Sequence, residues 1–172
     1  MGYIIRIDDR LVHGQVVEGW IKPLSIDTIV VCSDEIYCDD VSKTLFEISV
    51  PSSVKLKCLS IDQTAEEVIK GEYEKCSALI LIASLQNLYD FVVKIRQKLP
   101  DYKLPNVNIG GIRYITGRKQ IYKALFLNKE DLEIIKKLDS FGIILEYYVL
   151  PNDEKILLNN KIHEFEKVIA GR

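Results

Sequence analysis

The sequence lacks several features that would place it in a common functional class. No apolar run reaches the roughly eighteen residues of a membrane-spanning helix, and charged residues crowd the first strand, so we expect neither an anchor nor a signal peptide. Neither a G-x-x-x-x-G-K-[ST] run nor a G-x-G-x-x-G run occurs, which argues against nucleotide binding. With 23 basic and 25 acidic residues, the net charge of −2 provides no global field for nucleic acid or an anionic membrane.

Cysteine is scarce, and its spacing excludes the common cysteine sites. Cys32, Cys38, Cys58 and Cys76 are separated by 6, 20 and 18 positions, which matches no zinc pairing and no C-x-x-C redox pair. Three of the four lie in or beside apolar strand-like runs, where a reduced cysteine behaves as a small buried hydrophobe. We therefore predict a cytoplasmic protein that needs neither a metal nor a cofactor.

Short apolar runs alternate with longer amphipathic patterns along the whole chain, which we interpret as a single domain, 1–172. Several runs are apolar at every position, such as ALILIA at 78–83, and this is typical of strands that are covered on both faces. The predicted strands are Tyr3 to Ile7, Thr28 to Cys32, Val54 to Leu59, Ala78 to Ala83, Val107 to Ile109, Ala124 to Leu127 and Ile143 to Val149.

Helical patterns lie between these strands. The predicted helices are Gly14 to Trp20, Asp40 to Ser49, Thr64 to Lys70 with Thr64 as its cap and Glu67 completing a capping box, Leu85 to Leu99, Lys129 to Leu138 and Asn152 to Ile169. The glycine-containing segment 108–119 breaks the alternation and is predicted to be a loop that joins two strands without a helix. The pattern indicates a three-layer α/β/α sandwich with a central, mostly parallel sheet and right-handed crossovers.

The loop after the first strand contains the side chains that are best suited to binding or catalysis. Ligands of open parallel sheets gather at the carboxyl ends of the strands, where Asp8, Asp9, Arg10 and His13 precede a helix beginning near Gly14. Free backbone N–H groups at the helix start and the guanidinium of an arginine both suit a phosphoryl group. The glycine leaves room for a bulky phosphate to approach.

A histidine in this position could act as a nucleophile toward phosphorus without a metal. The other ring nitrogen must then be held by an acceptor that fixes the tautomer, and Asp8, Asp9 or a backbone carbonyl could supply it. Each piece also has a structural interpretation: His13 as a hydrogen-bonding residue, the aspartates as turn caps, and Arg6 as an exposed strand end. His163, the second of only two histidines, lies among charged residues and is expected at the surface.

The stretch RIDDRLVHGQVVEGW at 6–20 is long and carries the whole loop. It resembles the N-terminal signature of the IIB component of the mannose/fructose/sorbose family of the bacterial sugar phosphotransferase system (PTS). The resemblance continues through IVVCSDEIYCDDVSKTLFEISVPSSVKL at 29–56, NVNIGGIRYITGRKQI at 106–121, LNKEDLEIIKKLDSFGI at 127–143 and VLPNDEK at 149–155. It therefore covers essentially the whole chain and implies a parallel-rich sheet of about seven strands with flanking helices.

The resemblance implies that His13 accepts a phosphoryl group on Nδ1 from a phosphohistidine of a partner IIA domain or subunit. His13 would then pass it to a sugar that enters through the membrane-embedded IIC and IID subunits. Arg10 would help to hold the phosphate, and Asp9, Gly14 and Gln15 are assigned to the same phosphate-binding group. The protein would be a phosphohistidine–sugar phosphotransferase in the cytoplasm, peripherally associated with the membrane permease complex.

The family's sheet order, in which the first strand lies between the fourth and fifth, implies further residues around His13. The expected flanking residues are Asp8, Ser84, the Gly110-Gly111 turn and Arg113, the last as a ligand for phosphate or for the acidic rim of a partner. The two glycines could instead serve only a tight backbone turn.

The chain departs from the family pattern on loops expected near the active face. Ser33-Asp34 stands where Asn-Asp is frequent, Tyr37 where alanine is frequent, and Ile112, followed by Arg113, where methionine is common. These departures bear on partner or sugar specificity and leave the phosphate chemistry intact.

Two other hypotheses come from different functional classes. A regulatory or scaffold protein could keep this fold and only bind partners, although the combination of His13, Arg10 and Asp9 argues against it. Asp8 and Asp9 could alternatively be the acidic pair of a metal-dependent, aspartate-phosphorylated receiver domain. That hypothesis is weakened because Gly110 and Gly111 stand where the receiver's lysine would be expected.

Overall fold

A seven-stranded sheet forms the centre of the protein in the computed structural model, which describes residues 2–171. Seven strands form this sheet: β1 (Gly2–Asp8), β2 (Thr28–Cys32), β3 (Lys55–Leu59), β4 (Ser77–Ile82), β5 (Val107–Gly111), β8 (Leu145–Tyr147) and β9 (Ile156–Leu157). Two further strands, β6 (Lys119–Tyr122) and β7 (Leu125–Leu127), form a separate pair. The order in the sheet is β3-β2-β4-β1-β5-β8-β9, in which only β8 and β9 pair antiparallel. The predicted mostly parallel sheet, with β1 between β4 and β5, is confirmed.

Helices cover both faces of this sheet. They are α1 (14–24), α2 (Asp34–Tyr37), α3 (Asp40–Ser49), α4 (Ile61–Ile69), α5 (Leu85–Lys98), α6 (Lys129–Ser140) and α7 (Ile162–Ile169); the middle of α1, Val17–Ile21, is π-helical. Successive strand residues face opposite layers: Ile29 and Val31 pack with α1–α3, whereas Val30 and Cys32 pack with α4–α7. This explains why runs such as Ala78 to Ala83 are apolar at every position.

The N-terminus of α4 differs from the prediction. The helix begins at Ile61, and the cap is Ser60, whose hydroxyl accepts from the Gln63 backbone while the Gln63 side chain accepts from the Ser60 backbone. Thr64, the predicted cap, lies inside the helix and is fully buried, and its hydroxyl donates to the Ser60 carbonyl. Two overlapping capping patterns occur four residues apart, and the earlier one forms because it lets Ile61 join the core.

The predicted helix from Asn152 to Ile169 is wrong in its first half. Residues 156 and 157 form β9, which adds an antiparallel edge strand to β8, and Asn159–Lys161 form a single 3₁₀ turn before α7. The Asn159 side chain accepts from the Leu145 backbone and donates to the Ile143 carbonyl, at 2.8 and 2.9 Å. Pairing with the sheet edge therefore overrides the local helical pattern.

The segment 108–119 is only partly a loop. β5 continues through Gly110 and Gly111, so the two glycines end a strand and do not form the predicted turn. Lys119 begins β6, which pairs with β7 in an antiparallel hairpin outside the main sheet. The connection from β5 to this hairpin contains no helix, as predicted.

One side of α3 stays exposed although it carries apolar residues. Val41, Leu45 and Ile48 lie at helical spacing and are exposed, whereas Phe46 packs against the core.

Of residues 2–171, no helix is long and apolar enough to cross a membrane. The four cysteines are free thiols, of which Cys32 is buried and Cys38 exposed.

The carboxyl ends of β1, β4 and β5 meet at one edge of the sheet. Asp8 at the end of β1 lies opposite Gly111 at the end of β5, after a shift in register between Ile7 and Asp8. β4 leads into Ser84, the cap of α5. This edge therefore brings the predicted site residues of three separate segments into one region.

Candidate active site

A tight turn after β1 places His13 at the start of α1. The Leu11 backbone N–H donates to the Asp8 carbonyl at 2.9 Å, and Leu11 has a φ of 54°, a left-handed conformation that costs a leucine roughly 1–3 kcal/mol. Its buried side chain holds the turn against the core. His13 is extended, and its carbonyl accepts from the backbones of Val16 and Val17, so the residue caps the helix.

The Asp8 carboxylate is the centre of the site. Its Oδ2 atom lies 2.8 Å from Arg6 Nη2 and 3.1 Å from His13 Nε2. Its Oδ1 atom accepts from both the backbone nitrogen and Nε of Arg10, each at 3.3 Å. Asp8 is fully buried, and the His13 side chain is 16% exposed. Of the three acceptors considered for the ring, the structure therefore places Asp8 against His13.

This contact defines the chemistry of the imidazole. An ionised carboxylate only accepts hydrogen bonds, so the neutral His13 ring carries its proton on Nε2 and its lone pair on Nδ1. Burial would by itself raise the pKa of Asp8, but the hydrogen bond from His13 and the charge of Arg6 outweigh it and lower this pKa to about 2. Asp8 is consequently an anion throughout the physiological pH range.

Arg10 and Gln15 lie on the open side of the loop. Arg10 Nη2 donates to Gln15 Oε1 at 3.1 Å, and the arginine side chain remains half exposed. Gly14 is exposed, and a Cβ atom built there would meet no heavy atom within 4 Å. The start of α1 therefore presents a cation and an open backbone within a few residues of the imidazole.

Asp9 faces the neighbouring loop and not the His13 ring. Its Oδ2 atom accepts from the Arg113 backbone at 2.8 Å and lies 3.4 Å from Arg113 Nε. The Arg113 carbonyl accepts from Arg118 Nη1 at 3.1 Å, and Arg118 forms a two-pronged ion pair with Asp131 at 2.8 and 3.2 Å. The Arg113 peptide is thus held from both sides while its guanidinium stays exposed.

The remaining flanking residues have structural explanations of different strength. A Cβ atom at Gly110 would lie 1.9 to 2.1 Å from the Arg6 guanidinium, so any other residue there would force the guanidinium to move. At Gly111 the nearest atom would be Asp8 Oδ1 at 3.7 Å, an ordinary contact distance. The Ser84 hydroxyl caps α5 through the Asn87 backbone at 3.1 Å, and its hydrogen bonds connect it to Asn87 and not to His13.

The positions that depart from the family pattern divide into two kinds. Ser33 is buried and caps α2 by accepting from the Ile36 backbone, and Ile112 is buried beside the β6–β7 hairpin. Tyr37 and Arg113 are exposed, and the Tyr37 hydroxyl accepts from Gln63 Nε2 at 3.2 Å. Only the second pair remains available to contact another molecule directly.

Sequence reasoning missed Arg6, which lies fully buried behind the site and not at an exposed strand end. Its Nη1 atom donates to Asn108 Oδ1 at 2.5 Å, and its Cζ atom lies 4.6 Å from the centre of the Trp20 ring. The available signal was the single polar residue, Asn108, in the otherwise apolar run Val107 to Ile109 of a central strand. Buried polar side chains need partners, so a second polar residue had to face it.

An open cleft of about 610 Å³ adjoins the loop. Arg10, Gln15 and Arg113 line it together with Lys123, Tyr114, Phe126 and the Val149–Leu150 segment.

Among residues 2–171, no group of three or more histidine, cysteine, aspartate or glutamate side chains could hold a metal ion. His163 is exposed in α7, 3.1 Å from Glu166, far along the chain from this loop.

Comparison with known proteins identifies the class. The family model described as the PTS system sorbose subfamily IIB component matches residues 3–170. The fructose-specific EIIB component of Bacillus subtilis is 35% identical over 87% of this chain and 88% of its own length. The mannose-specific EIIAB component of Escherichia coli is 29% identical over 95% of this chain, which spans 49% of that relative. The chain belongs to the sorbose subfamily of PTS IIB components, which are subunits of sugar phosphotransferases.

A solved structure agrees with this assignment. The IIB domain of the sorbose permease from Klebsiella pneumoniae superimposes with a TM-score of 0.81 at 28% sequence identity. The match covers 95% of this chain and 98% of that domain. The resemblance noted from the five sequence stretches is therefore confirmed for family and for fold.

Proposed function

We propose that His13 is the phosphoryl carrier of this IIB component. Its Nδ1 atom would accept the group from a phosphohistidine of a IIA domain or subunit and transfer it to a sugar. The observation that carries the proposal is the 3.1 Å contact between His13 Nε2 and Asp8 Oδ2, which leaves the ring lone pair on Nδ1. A histidine held in this way is a ready nucleophile toward phosphorus.

Each transfer exchanges one bond at phosphorus for another. In the first, the Nδ1 lone pair of His13 forms a P–N bond while the P–N bond of the donor breaks and leaves its electron pair on the donor nitrogen. In the second, a sugar hydroxyl oxygen bonds to phosphorus, the P–Nδ1 bond breaks, and the hydroxyl proton passes to the imidazole. Neither step involves oxidation, and the protein contributes mainly position and charge.

The loop supplies charge where the phosphoryl oxygens would lie. We assign Arg10 as the cationic ligand, with Gln15 orienting its guanidinium through the 3.1 Å hydrogen bond. Gly14 and the start of α1 would offer backbone N–H groups and open space. Asp9 and Arg113 would act together, because Asp9 holds the loop that presents the exposed Arg113 guanidinium toward a partner.

The partners follow from the class of protein. The name of the E. coli relative joins A and B components in one chain, which supports a IIA partner for this IIB unit. Membrane IIC and IID subunits would deliver the sugar, so we place the protein in the cytoplasm at the permease complex, as a single IIB domain over 1–172. The matched relatives are named for sorbose, fructose and mannose, and we therefore assign the acceptor as a sugar without naming one.

Incubation with a phosphorylated IIA protein, followed by mapping of the phosphate, tests the proposal. We expect one acid-labile, base-stable phosphate on His13, formed in the presence of a chelator. His13→Ala should accept none, whereas the matched control His163→Ala should accept as much as the native protein because that ring is exposed in α7. Vesicles containing the cognate IIC and IID subunits and a sugar should then discharge the phosphoprotein.

Two outcomes would contradict the proposal. Metal-dependent labelling of Asp8 or Asp9 would point to an aspartate-phosphorylated receiver. Absence of labelling on folded protein with an active donor would point to a scaffold that only binds.

A further inference from the structure

A buried arginine stands behind the site, on the side away from solvent. The Arg6 side chain has no exposed surface and makes hydrogen bonds to Asp8 Oδ2 at 2.8 Å, Asn108 Oδ1 at 2.5 Å and the Val149 carbonyl at 3.3 Å. Its guanidinium lies over the Trp20 ring, 4.6 Å from the ring centre. Arg6 reaches the imidazole only through Asp8, since both Arg6 Nη2 and His13 Nε2 contact the same Oδ2 atom.

The fold makes specific room for this guanidinium. Gly110 lies in a central strand, where a glycine weakens packing, and any Cβ atom there would fall within 2.1 Å of Arg6. Apolar residues of similar volume often replace a buried ion pair without loss of stability. The Arg6–Asp8 pair is therefore poorly explained by stability alone.

The pair matters for the proton on His13. If the guanidinium were absent, Asp8 would be a buried carboxylate with fewer cationic partners, and burial would favour its neutral form. A neutral carboxylic acid can donate its own proton to Nε2 of the imidazole. The ring would then carry its proton on Nδ1, so Nδ1 would have no lone pair with which to attack phosphorus.

We propose that Arg6 is a positioning residue that keeps Asp8 ionised and oriented, and so fixes the His13 proton on Nε2. This inference rests on the proposed role of His13 as phosphoryl acceptor. Arg6 itself touches neither the phosphate nor the donor; it acts through Asp8.

The Arg6 guanidinium also contacts Val149, a residue in the wall of the cleft. The Val149 carbonyl accepts from Arg6 Nη1 and from Trp20 Nε1, at 3.3 and 3.2 Å, and the Tyr148 carbonyl accepts from Asn108 Nδ2 at 2.8 Å. Val149 lines the cleft beside the loop. Displacement of Arg6 should therefore also loosen this wall of the cleft.

The test measures the tautomer and the transfer rate of Arg6→Met, whose side chain has a similar length and no charge. Nitrogen-15 NMR of His13 in unphosphorylated protein, at a pH where the ring is neutral, should show the proton on Nε2 in the native protein. In the variant we expect a substantial fraction with the proton on Nδ1. Phosphoryl transfer from the IIA donor should slow by about 10- to 100-fold, less than for loss of a group that contacts the phosphate itself.

Two further variants separate charge from placement. Gly110→Ala keeps the charge but forces the guanidinium aside, so it should reproduce the change in tautomer. Combining it with Arg6→Met should add little to either single change, because both disrupt one contact. Arg6→Lys keeps a charge that cannot reach all three acceptors, and it should give an intermediate rate.

Ile29→Ala is the control for general loss of stability. Ile29 is fully buried in β2, outside the network, so this variant should lower stability while keeping the native tautomer and transfer rate. A folded Arg6→Met protein with the native tautomer and a rate within about twofold of native would overturn the inference. If that variant does not fold, native behaviour of Gly110→Ala would overturn it equally.

The tautomer experiment needs no phosphoryl donor, so the two proposals can fail separately. Failure of native His13 to accept phosphate would remove the proposed function whatever the tautomer. A native tautomer in the variants, with normal acceptance by the native protein, would remove only the role of Arg6.

Discussion

Replacement of Asp8 by asparagine removes one negative charge from the centre of the site and keeps the shape of the side chain. The native contacts lower the pKa of Asp8 from 3.8 to about 2, which corresponds to about 2 kcal/mol of stability. Breaking a buried ion pair from one side also leaves Arg6 without its carboxylate. We therefore expect Asp8→Asn to lose about 3–5 kcal/mol near neutral pH.

The pH dependence of this loss is the sharper test. Because the pKa of the folded carboxyl lies below that of the unfolded one, the stabilisation is complete above about pH 4 and is lost as the pH falls toward about 2. The difference between native protein and Asp8→Asn should therefore shrink by about 2 kcal/mol across this window.

Urea unfolding of both proteins at about pH 6 and about pH 2.5, fitted with one m-value, measures the difference in their free energies of unfolding at each pH. Asp101→Asn, at an exposed position, serves as the matched control and should change stability by less than about 0.5 kcal/mol at either pH. A difference between native protein and Asp8→Asn that stays constant from the higher to the lower pH would refute the ionised, charge-paired Asp8 described above.

Two further predictions concern residues nearer the surface. Arg10→Ala should slow phosphoryl transfer by about one to three orders of magnitude, as expected for one charged contact to a transition state. Its free energy of unfolding in urea should fall by no more than about 1 kcal/mol, because the Arg10 side chain that pairs with Asp8 is half exposed. Full activity would show that Arg10 does not bind phosphate. Asp131→Ala should cost about 2 kcal/mol, since it removes the ion pair to Arg118 and one of the two hydrogen bonds of the α6 capping box. Phosphoryl transfer at saturating donor should stay native; a large loss there would contradict this purely structural role.

The central strands were predictable because burial on two faces leaves a direct record in the sequence. The run Ile29 to Cys32 is apolar at every residue, and the predicted boundaries, Thr28 to Cys32, match β2. The edge of the sheet leaves no such record. β9 is two residues long, and its formation depends on pairing with β8, so a local helical pattern at 152–161 was misleading.

The sequence indicated which residues gather at the candidate site, but it did not indicate the hydrogen bonds among them. The loop residues Asp8, Arg10 and His13 stand close together in the sequence, so their proximity in space follows from a single turn. The choice between Asp8 and Asp9 as the partner of the ring could not be made, because the sequence does not show that the two adjacent carboxylates point in different directions, Asp8 toward His13 and Asp9 toward Arg113. Arg6 was misjudged because its partners, Asn108 and Val149, come from distant parts of the chain.

Trp20 is the only tryptophan in the chain, and its ring lies against the Arg6 guanidinium and stacks on Tyr148. The tryptophan fluorescence of the unlabelled protein therefore comes from a single indole. This indole contacts Arg6, which in turn contacts the Asp8 carboxylate beside His13. If His13 carries the phosphoryl group as proposed, we expect stopped-flow fluorescence to follow its phosphorylation and dephosphorylation in real time, with no dye or isotope attached.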